Sequence, residues 1–191
     1  TNTVPTRVIA KTRRGGRGLG TVLCRHCGQT AETLGHISGY CPKTKKSRIR
    51  RHNLVVSEVQ KIAVRGRFEV IREPRMFGDN GHAYIPDLIL LKGEKGYIVD
   101  PTIVWERGDS LRKAAAVKKT KYKHLVGAVR DLQDQVEEVE ILPLVIGARG
   151  VWPAKINNPL VDLLGIPRKT AKKWALLILC QTQKMVSEFM D

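Results

Sequence analysis

The sequence predicts a mixed α/β domain preceded by a small unit rich in cysteine and histidine. Segments of strand length, rich in aliphatic and β-branched residues, alternate with segments whose apolar residues recur every three or four positions, as on one face of a helix. Their order is α-β-β-β-α-β, which is typical of a mixed sheet with helices on both faces. Three cysteines and two histidines precede this core, within residues 24–41.

Composition limits the class of protein. The chain has 191 residues, of which 42% are hydrophobic, and this is enough for one sizeable core with a small appendage. The formal net charge of +16 indicates a polyanionic partner, most commonly nucleic acid. Apolar runs of transmembrane length and a signal-peptide stretch are both missing, so we expect an intracellular protein without a membrane partner. Because Thr1 replaces an initiator Met, we also expect a fragment of a longer protein.

Residues 1–20 predict a basic linker. Arg13, Arg14 and Arg17 lie in a run that is also rich in glycine. Such a run is flexible and cationic, so it is suited to following a phosphate backbone. A linker that only improves solubility explains the composition equally well.

Residues 21–46 predict a zinc knuckle. Cys24, Cys27, His36 and Cys41 follow the spacing C-x2-C-x8-H-x4-C, and close pairs of Cys and His at such spacings form tetrahedral zinc sites. His26 lies between the first two cysteines and competes as a ligand, but His36 fits the pattern better. The knuckle is expected to bind zinc in a structural role.

A helix is predicted from Ser47 to about Arg65, where Gly66 ends it. Basic residues in and around its start are expected to hold nucleic acid through its phosphates. These candidates are Arg25, Lys45, Lys46, Arg48, Arg50, Arg51 and His52. His52 falls on the apolar stripe of the helix, so a hydrogen-bonded packing role is the alternative.

The next segments predict a strand at 68–73, a loop at 75–84 and a β-hairpin at 85–106 with its turn at 93–96. A turn that sets Gly93 opposite Gly96 pairs Asp87 with Thr102. Asp87 and Asp100 then point to the same face as diagonal neighbours. Two carboxylates that converge among apolar residues repel each other, and a hard cation such as Mg²⁺ removes that penalty.

A long helix is predicted from Gly108-Asp109-Ser110, with a capping residue, to about Leu132. Lys118 lies inside its apolar stripe, with Tyr122 one turn later. Lys118 either snorkels outward from the boundary or accompanies the two carboxylates, and Lys121 is the alternative lysine. Glu106 shares the strand parity of Asp100 and is a weaker candidate for the acidic site.

The remaining residues predict a strand at 139–146, a short helix at 160–164 and a final helix at 168–190. Cys180 stands alone in this last helix and is expected to be a small core residue.

Pro86-Asp87 on one strand, Asp100 on the next and the α-β-β-β-α-β order resemble the restriction-like, PD-(D/E)XK nuclease fold. In that family the metal-binding acids would fall at Asp87 and Asp100. The family's lysine usually follows the second acid by two residues, and here that position is Thr102. Some members carry the lysine on the following helix, and Lys118 with Tyr122 fits that placement.

The knuckle, Arg51-His52-Asn53, Pro86-Asp87, Asp100 and Lys118-x3-Tyr122 occur in an order that resembles one narrower family. It is the C-terminal region of site-specific non-LTR retrotransposon proteins, which include elements that insert into ribosomal DNA. The resemblance covers about residues 20–190 and implies that residues 47–191 form a restriction-like endonuclease domain.

The resemblance implies a nuclear endonuclease that nicks a genomic DNA target, so that the freed 3′ hydroxyl primes reverse transcription. The implied catalytic residues are Asp87, Asp100, Lys118 and Tyr122, with Mg²⁺ at the two acids and structural zinc in the knuckle. The implied partners are target DNA, template RNA and a reverse transcriptase domain that is not in this chain.

Other functions stay open at this point. The threonine at position 102 favours a nucleic-acid-binding module whose nuclease-like core has lost its activity. A junction-resolving or repair nuclease of the same fold would prefer branched substrates and would not need the knuckle. A structural zinc protein that assembles with other chains leaves the +16 charge unexplained.

Overall fold

The computed structural model describes residues 4–13 and 21–191. The strands are β1 (Glu69–Arg72), β2 (Met76–Phe77), β3 (Ala83–Tyr84), β4 (Leu88–Lys92), β5 (Lys95–Val104) and β6 (Glu138–Gly147). The helices are α1 (Arg7–Arg13), α2 (Leu34–Gly39), α3 (Lys45–Arg65), α4 (Ser110–Tyr122), α5 (Val126–Arg130), α6 (Ala154–Leu163) and α7 (Arg168–Met190). Single 3-10 turns lie at Pro42–Thr44 and Lys123–Leu125. None of the helices in the described ranges is long and apolar enough to span a membrane.

A four-stranded mixed sheet in the order β1-β4-β5-β6 forms the centre of the fold. Neighbours β1, β4 and β5 run antiparallel, and β6 runs parallel to β5. Because side chains alternate along each strand, Leu88 and Leu90 of β4 pack towards α3, α6 and α7. Ile89 and Leu91 face the opposite side, where α4 and α5 cover the sheet. The predicted mixed α/β architecture with helices on both faces is confirmed.

The β4–β5 hairpin has a tighter turn than predicted. Lys92 pairs with Lys95, so only Gly93 and Glu94 form the turn, and Gly93 takes the positive φ of 57° that such turns require. The predicted register was therefore wrong by two residues. A shift of two keeps every side chain on its predicted face. It also brings Asp87, one residue before the Leu88–Val99 pair, next to Asp100 rather than diagonal to it.

Two other expectations were wrong in detail. Residues 75–84 contain the small antiparallel sheet β2–β3 in place of a plain loop. The long helix predicted from residue 110 to about 132 ends at Tyr122, and the 3-10 turn at 123–125 separates it from α5. The apolar stripe continues through this break, since Tyr122, Leu125 and Val129 are all buried in one core. The spacing of the apolar residues predicted the buried face correctly, but it did not predict the 3-10 turn that interrupts the helix.

At the outer edge of β6, a side chain makes the backbone hydrogen bonds that a neighbouring strand would otherwise make. Asn157 of α6 is fully buried, and its Oδ1 accepts the backbone N–H of Val145 at 2.9 Å. Its Nδ2 donates to the carbonyl of the same residue at 2.8 Å. An edge strand otherwise leaves such groups unpaired. Helix α6 is thereby attached to the sheet at a defined position.

The knuckle residues pack into the main fold instead of forming a detached unit. Cys24, Cys41 and Ile37 share a core with Val186 and Phe189 near the end of α7. Part of the segment predicted as a linker is also structured, since Val4 packs against this core and residues 7–13 form α1. Cys180, expected in the core, is exposed on α7, so that expectation was wrong.

Glu32 holds the N-terminal part of the chain together. Its carboxylate is fully buried and accepts the backbone N–H groups of Arg7 and Arg25 at 3.0 and 2.8 Å. The guanidinium of Arg25 donates to both oxygens. Burial by itself raises the pKa of Glu32, but these hydrogen bonds outweigh it and lower the pKa from 4.5 to about 2.

We expect Asn157→Leu to lower the free energy of unfolding by about 2 to 4 kcal/mol, because it leaves a buried N–H and a buried C=O of Val145 without partners. Urea denaturation followed by circular dichroism measures the change. Asn158→Leu is the matched control, since its side chain is exposed on the same helix. Equal stability of the two variants would contradict this role of Asn157.

The lowered pKa of Glu32 predicts a stability that depends on pH. Because the folded pKa lies below the unfolded one, the stabilisation is complete above about pH 4.5 and disappears as the pH falls towards 2. Glu32→Gln should therefore destabilise the protein at pH 7 and make progressively less difference in acid. Chemical denaturation at pH 7, 4 and 3 tests this, with exposed Glu137→Gln as the control. A deficit that stays constant with pH would refute the ionic role.

Candidate metal centre and acidic site

Four side chains of the knuckle converge as the spacing predicted. One ligand atom from each of Cys24, Cys27, His36 and Cys41 lies within 4.8 Å of all the others. The Sγ atoms of Cys24 and Cys41 are 3.8 Å apart, and Sγ of Cys27 is 3.4 Å from Nε2 of His36. Zinc bonded to sulfur at about 2.3 Å and to nitrogen at about 2.0 Å spaces neighbouring ligand atoms at about 3.5 to 3.8 Å. The four residues therefore fit a tetrahedral ion such as zinc.

Surrounding contacts identify which histidine is available as a ligand. Nδ1 of His36 lies 2.8 Å from Oγ1 of Thr30, and this hydrogen bond leaves Nε2 free to face the sulfurs. His26 instead places its Nε2 2.8 Å from the carbonyl of Phe189 and its ring against the phenyl ring. The preference for His36 over His26 is confirmed. Burial raises the pKa of the Cys41 thiol to about 11, a penalty on the thiolate that a bound cation would offset.

A second polar cluster lies on the α4 side of the sheet, where β4 begins. Asp100 is only 3% exposed. Its Oδ1 is 2.6 Å from Nζ of Lys118, and its Oδ2 accepts the hydroxyl of Tyr122 at 2.5 Å. Lys118 and Tyr122 are four residues apart on α4, so one helical face presents both groups to the strand.

Asp87 completes the cluster from the start of β4. Its Oδ1 is 3.1 Å from Nε2 of His52, on α3. His52 was predicted either to bind nucleic acid or to pack with a hydrogen bond, and the structure gives it this hydrogen bond. The residue thereby links α3 to the acidic cluster. Its helical position indicated burial but not which acid it would meet.

Electrostatics in the cluster favour a cation. Burial raises the pKa of Asp100, the negative charge of Asp87 raises it further, and Lys118 with Tyr122 opposes both effects. Burial and then Asp100 raise the pKa of Tyr122 above its ordinary value. The phenol is therefore a hydrogen-bond donor to the carboxylate, which excludes it as a base near neutral pH. Within the described ranges, the Cys/His cluster is the only group in which three or more side chains are arranged to bind a metal. The acidic site has two candidate side-chain ligands, the carboxylates of Asp87 and Asp100.

The weaker candidates lie elsewhere. Lys121 donates to the hydroxyl of Tyr122 at 2.9 Å and contacts Asp100 only through it. Glu106 accepts the backbone N–H of Arg149 at 2.8 Å and pairs with its guanidinium. It stabilises the turn that follows β6 and is not part of the acidic cluster.

The predicted phosphate-binding residues divide into two groups. Arg51 is 3% exposed and donates to Oγ1 of Thr182 and the carbonyl of Ser38. Arg48 donates to two carbonyls of the knuckle, and Arg25 pairs with Glu32. These three were predicted to hold nucleic acid, and tertiary contacts occupy most of their donors.

Lys45, Lys46 and Arg50 are exposed on α3, and Arg13 is exposed at the end of α1. Arg14 and Arg17 lie outside the described residues. Within the described residues, these are the predicted phosphate-binding side chains that lie at the surface.

Comparison with known proteins relates the chain to retrotransposon proteins. It is 33% identical over 147 residues, 76% of its length, to a retrovirus-related Pol polyprotein from type-1 retrotransposable element R2 of Popillia japonica. A Pol polyprotein of the same element type from Nasonia vitripennis is 29% identical over 174 residues, 90% of the chain. One from type-2 element R2DM of Drosophila melanogaster is 28% identical over 162 residues, 84% of the chain. A scan against models of protein families finds no match.

The chain spans only 30%, 16% and 15% of the lengths of these three relatives. The similarity includes most of the chain in every case and therefore extends well beyond the knuckle. The chain is homologous to a segment of the Pol polyproteins of R2 retrotransposons.

Proposed function

We propose that this chain is a metal-dependent DNA endonuclease domain that nicks a genomic target to prime reverse transcription. The observation that carries the proposal is the convergence of two aspartates, a lysine and a tyrosine at the start of β4. Burying an aspartate beside another acid and a lysine lowers the stability of the fold, so stability by itself does not explain the arrangement. A function that needs concentrated charge explains why these residues lie together.

The acids would hold the metal. Asp87 and Asp100 lie side by side, and the repulsion that raises the pKa of Asp100 is relieved by a divalent cation. Hard oxygen ligands suit Mg²⁺. When bound, the ion would supply positive charge that polarises a phosphate oxygen. The carbonyl near Pro101 is a further candidate ligand.

The other residues would act on the substrate or orient the acids. Lys118 places a positive charge at the edge of the cluster and would stabilise charge on the scissile phosphate or orient the attacking water. Tyr122 donates to Asp100 and so fixes the carboxylate. The exposed Lys45, Lys46 and Arg50 would position the nucleic acid through its backbone.

The knuckle would bind zinc as a structural ion. Its ligand spacing and the Thr30 hydrogen bond support this assignment. Target DNA, template RNA and a reverse transcriptase elsewhere in a longer polyprotein would be the partners, and the nucleus the site of action. The homology to Pol polyproteins supports this setting.

An inactive nucleic-acid-binding module is the alternative. It is favoured by Thr102, which occupies the position where related nucleases usually carry their lysine. The 2.6 Å contact between Lys118 and Asp100 argues against it, because α4 supplies the missing charge.

We expect Asp87→Ala, Asp100→Ala and Lys118→Ala each to slow nicking of supercoiled plasmid in Mg²⁺ by about 100-fold or more. DNA binding, measured by fluorescence anisotropy, should survive in all three. Lys119→Ala is the control for Lys118, since its side chain is exposed and outside the cluster.

Two results would revise the proposal. Full activity in Lys118→Ala with loss in Lys121→Ala would transfer the catalytic role to Lys121. A wild-type protein that binds DNA but never nicks it, with or without Mg²⁺, would favour the inactive module.

We expect purified protein to contain one zinc ion per chain, and His36→Ala to lose it while His26→Ala retains it. Loss of zinc should also lower the thermal unfolding temperature, because the ligands share a core with Val186 and Phe189 of α7. Elemental analysis and thermal denaturation measure the two effects. Equal zinc content in both histidine variants would contradict the assignment.

A further inference from the structure

A groove lies between the knuckle, the start of α3 and the far end of β5. Lys45, Arg48, Arg51 and His52 line it from the helix, and Thr102 lines it from the strand. Among the described residues that form its wall there is no acid. Four basic or titratable side chains therefore surround one small space without a negative charge.

Two of these cations, Arg48 and Arg51, have hydrogen-bond donors that the described part of the protein leaves without an acceptor. Arg51 is almost fully buried, and its two terminal nitrogens donate to neutral oxygens at 2.5 and 3.0 Å. Its Nε–H and that of Arg48 are both buried and have no acceptor within the described part of the chain. Buried guanidinium groups normally pair with an acid or another anion.

The two guanidinium groups also repel each other. Burial and then the charge of Arg48 lower the pKa of Arg51 to about 10, while the charge of Glu106 has a smaller opposing effect. An anion between them would offset both the desolvation and the repulsion. The groove has the charge, the donors and the opening at Lys45 that such a ligand needs.

The groove adjoins the acidic cluster. His52 belongs to both, since it lines the groove and lies 3.1 Å from Asp87. Thr102 is two residues beyond Asp100 and points to the same side of β5. A nucleic-acid strand with one phosphate at the acidic cluster would therefore pass directly into the groove.

We propose that this groove binds a backbone phosphate of the nucleic-acid strand, adjacent to the phosphate at the acidic site. Arg48 and Arg51 donate their Nε–H groups to the phosphate oxygens, and Lys45 contacts it from the open side. The inference rests on the proposed function and adds to it a second phosphate subsite. In this site Arg51 acts from inside the fold, as a rigid donor, rather than as a surface cation.

Nuclear magnetic resonance of the arginine Nε–H groups tests the subsite directly. A short unlabelled DNA oligonucleotide is titrated into ¹⁵N-labelled protein that retains its zinc, with neither Mg²⁺ nor chelator added. We expect the Nε–H signals of Arg48 and Arg51 to shift downfield and to exchange more slowly with water. Inorganic phosphate at the same concentration should cause much smaller shifts, because it lacks the rest of the strand.

Lys45→Gln and Lys61→Gln form a matched pair, since both side chains are exposed on α3 but only Lys45 lines the groove. Lys45→Gln should weaken the Nε–H shifts and lower the slope of log affinity against log salt by about one. Lys61→Gln should leave the Nε–H shifts unchanged.

Three outcomes would overturn the subsite. They are binding of the oligonucleotide without any change at Arg48 or Arg51, equal effects of the two lysine variants on these signals, and equal shifts with inorganic phosphate. The titration needs no catalysis, so a protein that fails to nick plasmid can still show the subsite. Conversely, if the protein nicks plasmid but its Nε–H signals do not change on binding, the subsite is refuted and the proposed function is not.

Discussion

The burial of Asp100 is the constraint around which the acidic site is organised. Strand β5 continues for five residues beyond the last residue that pairs with β4, and Asp100 is the first of them. A carboxylate at this depth needs partners. Helix α4 provides Lys118 and Tyr122 on one face, and the small β2–β3 sheet packs Tyr84 against the ring of Tyr122. These contacts connect α4 to the sheet through one buried carboxylate.

The knuckle and the sheet are connected through α3 and α7. Cys24 and Cys41 pack on residues of α7, and Arg51 of α3 bonds to both α7 and the carbonyl of Ser38 in α2. The first turns of α3 therefore touch the knuckle, while His52 touches Asp87 of the acidic cluster. Helix α3 therefore holds the knuckle and the acidic cluster at a fixed position relative to each other. This continuity gives a physical reason for the two motifs to occur in one segment of the chain.

Much of the fold was predictable because periodicity is a local property. The mixed sheet, the two helical layers and the four knuckle residues all followed from spacing within short stretches. The hairpin register was predictable only to within an even number of residues, since burial determines the face while turn length determines the pairing. Residues 75–84 have no periodic signal, so the β2–β3 sheet could not be anticipated. Cys180 was misjudged because an apolar helix of 23 residues still has one exposed side.

The sequence by itself determined which residues are chemically suited to the candidate sites. It identified the four knuckle residues and the set of Asp87, Asp100, Lys118 and Tyr122, because motif spacing and face parity are readable along one chain. Only the tertiary structure decided which of several equivalent side chains makes each contact. Lys118 rather than Lys121 meets Asp100, His36 rather than His26 faces the cysteines, and Arg51 lies inside the fold. Those choices depend on how helices dock on the sheet and on the knuckle, and docking is set by packing between residues far apart in sequence.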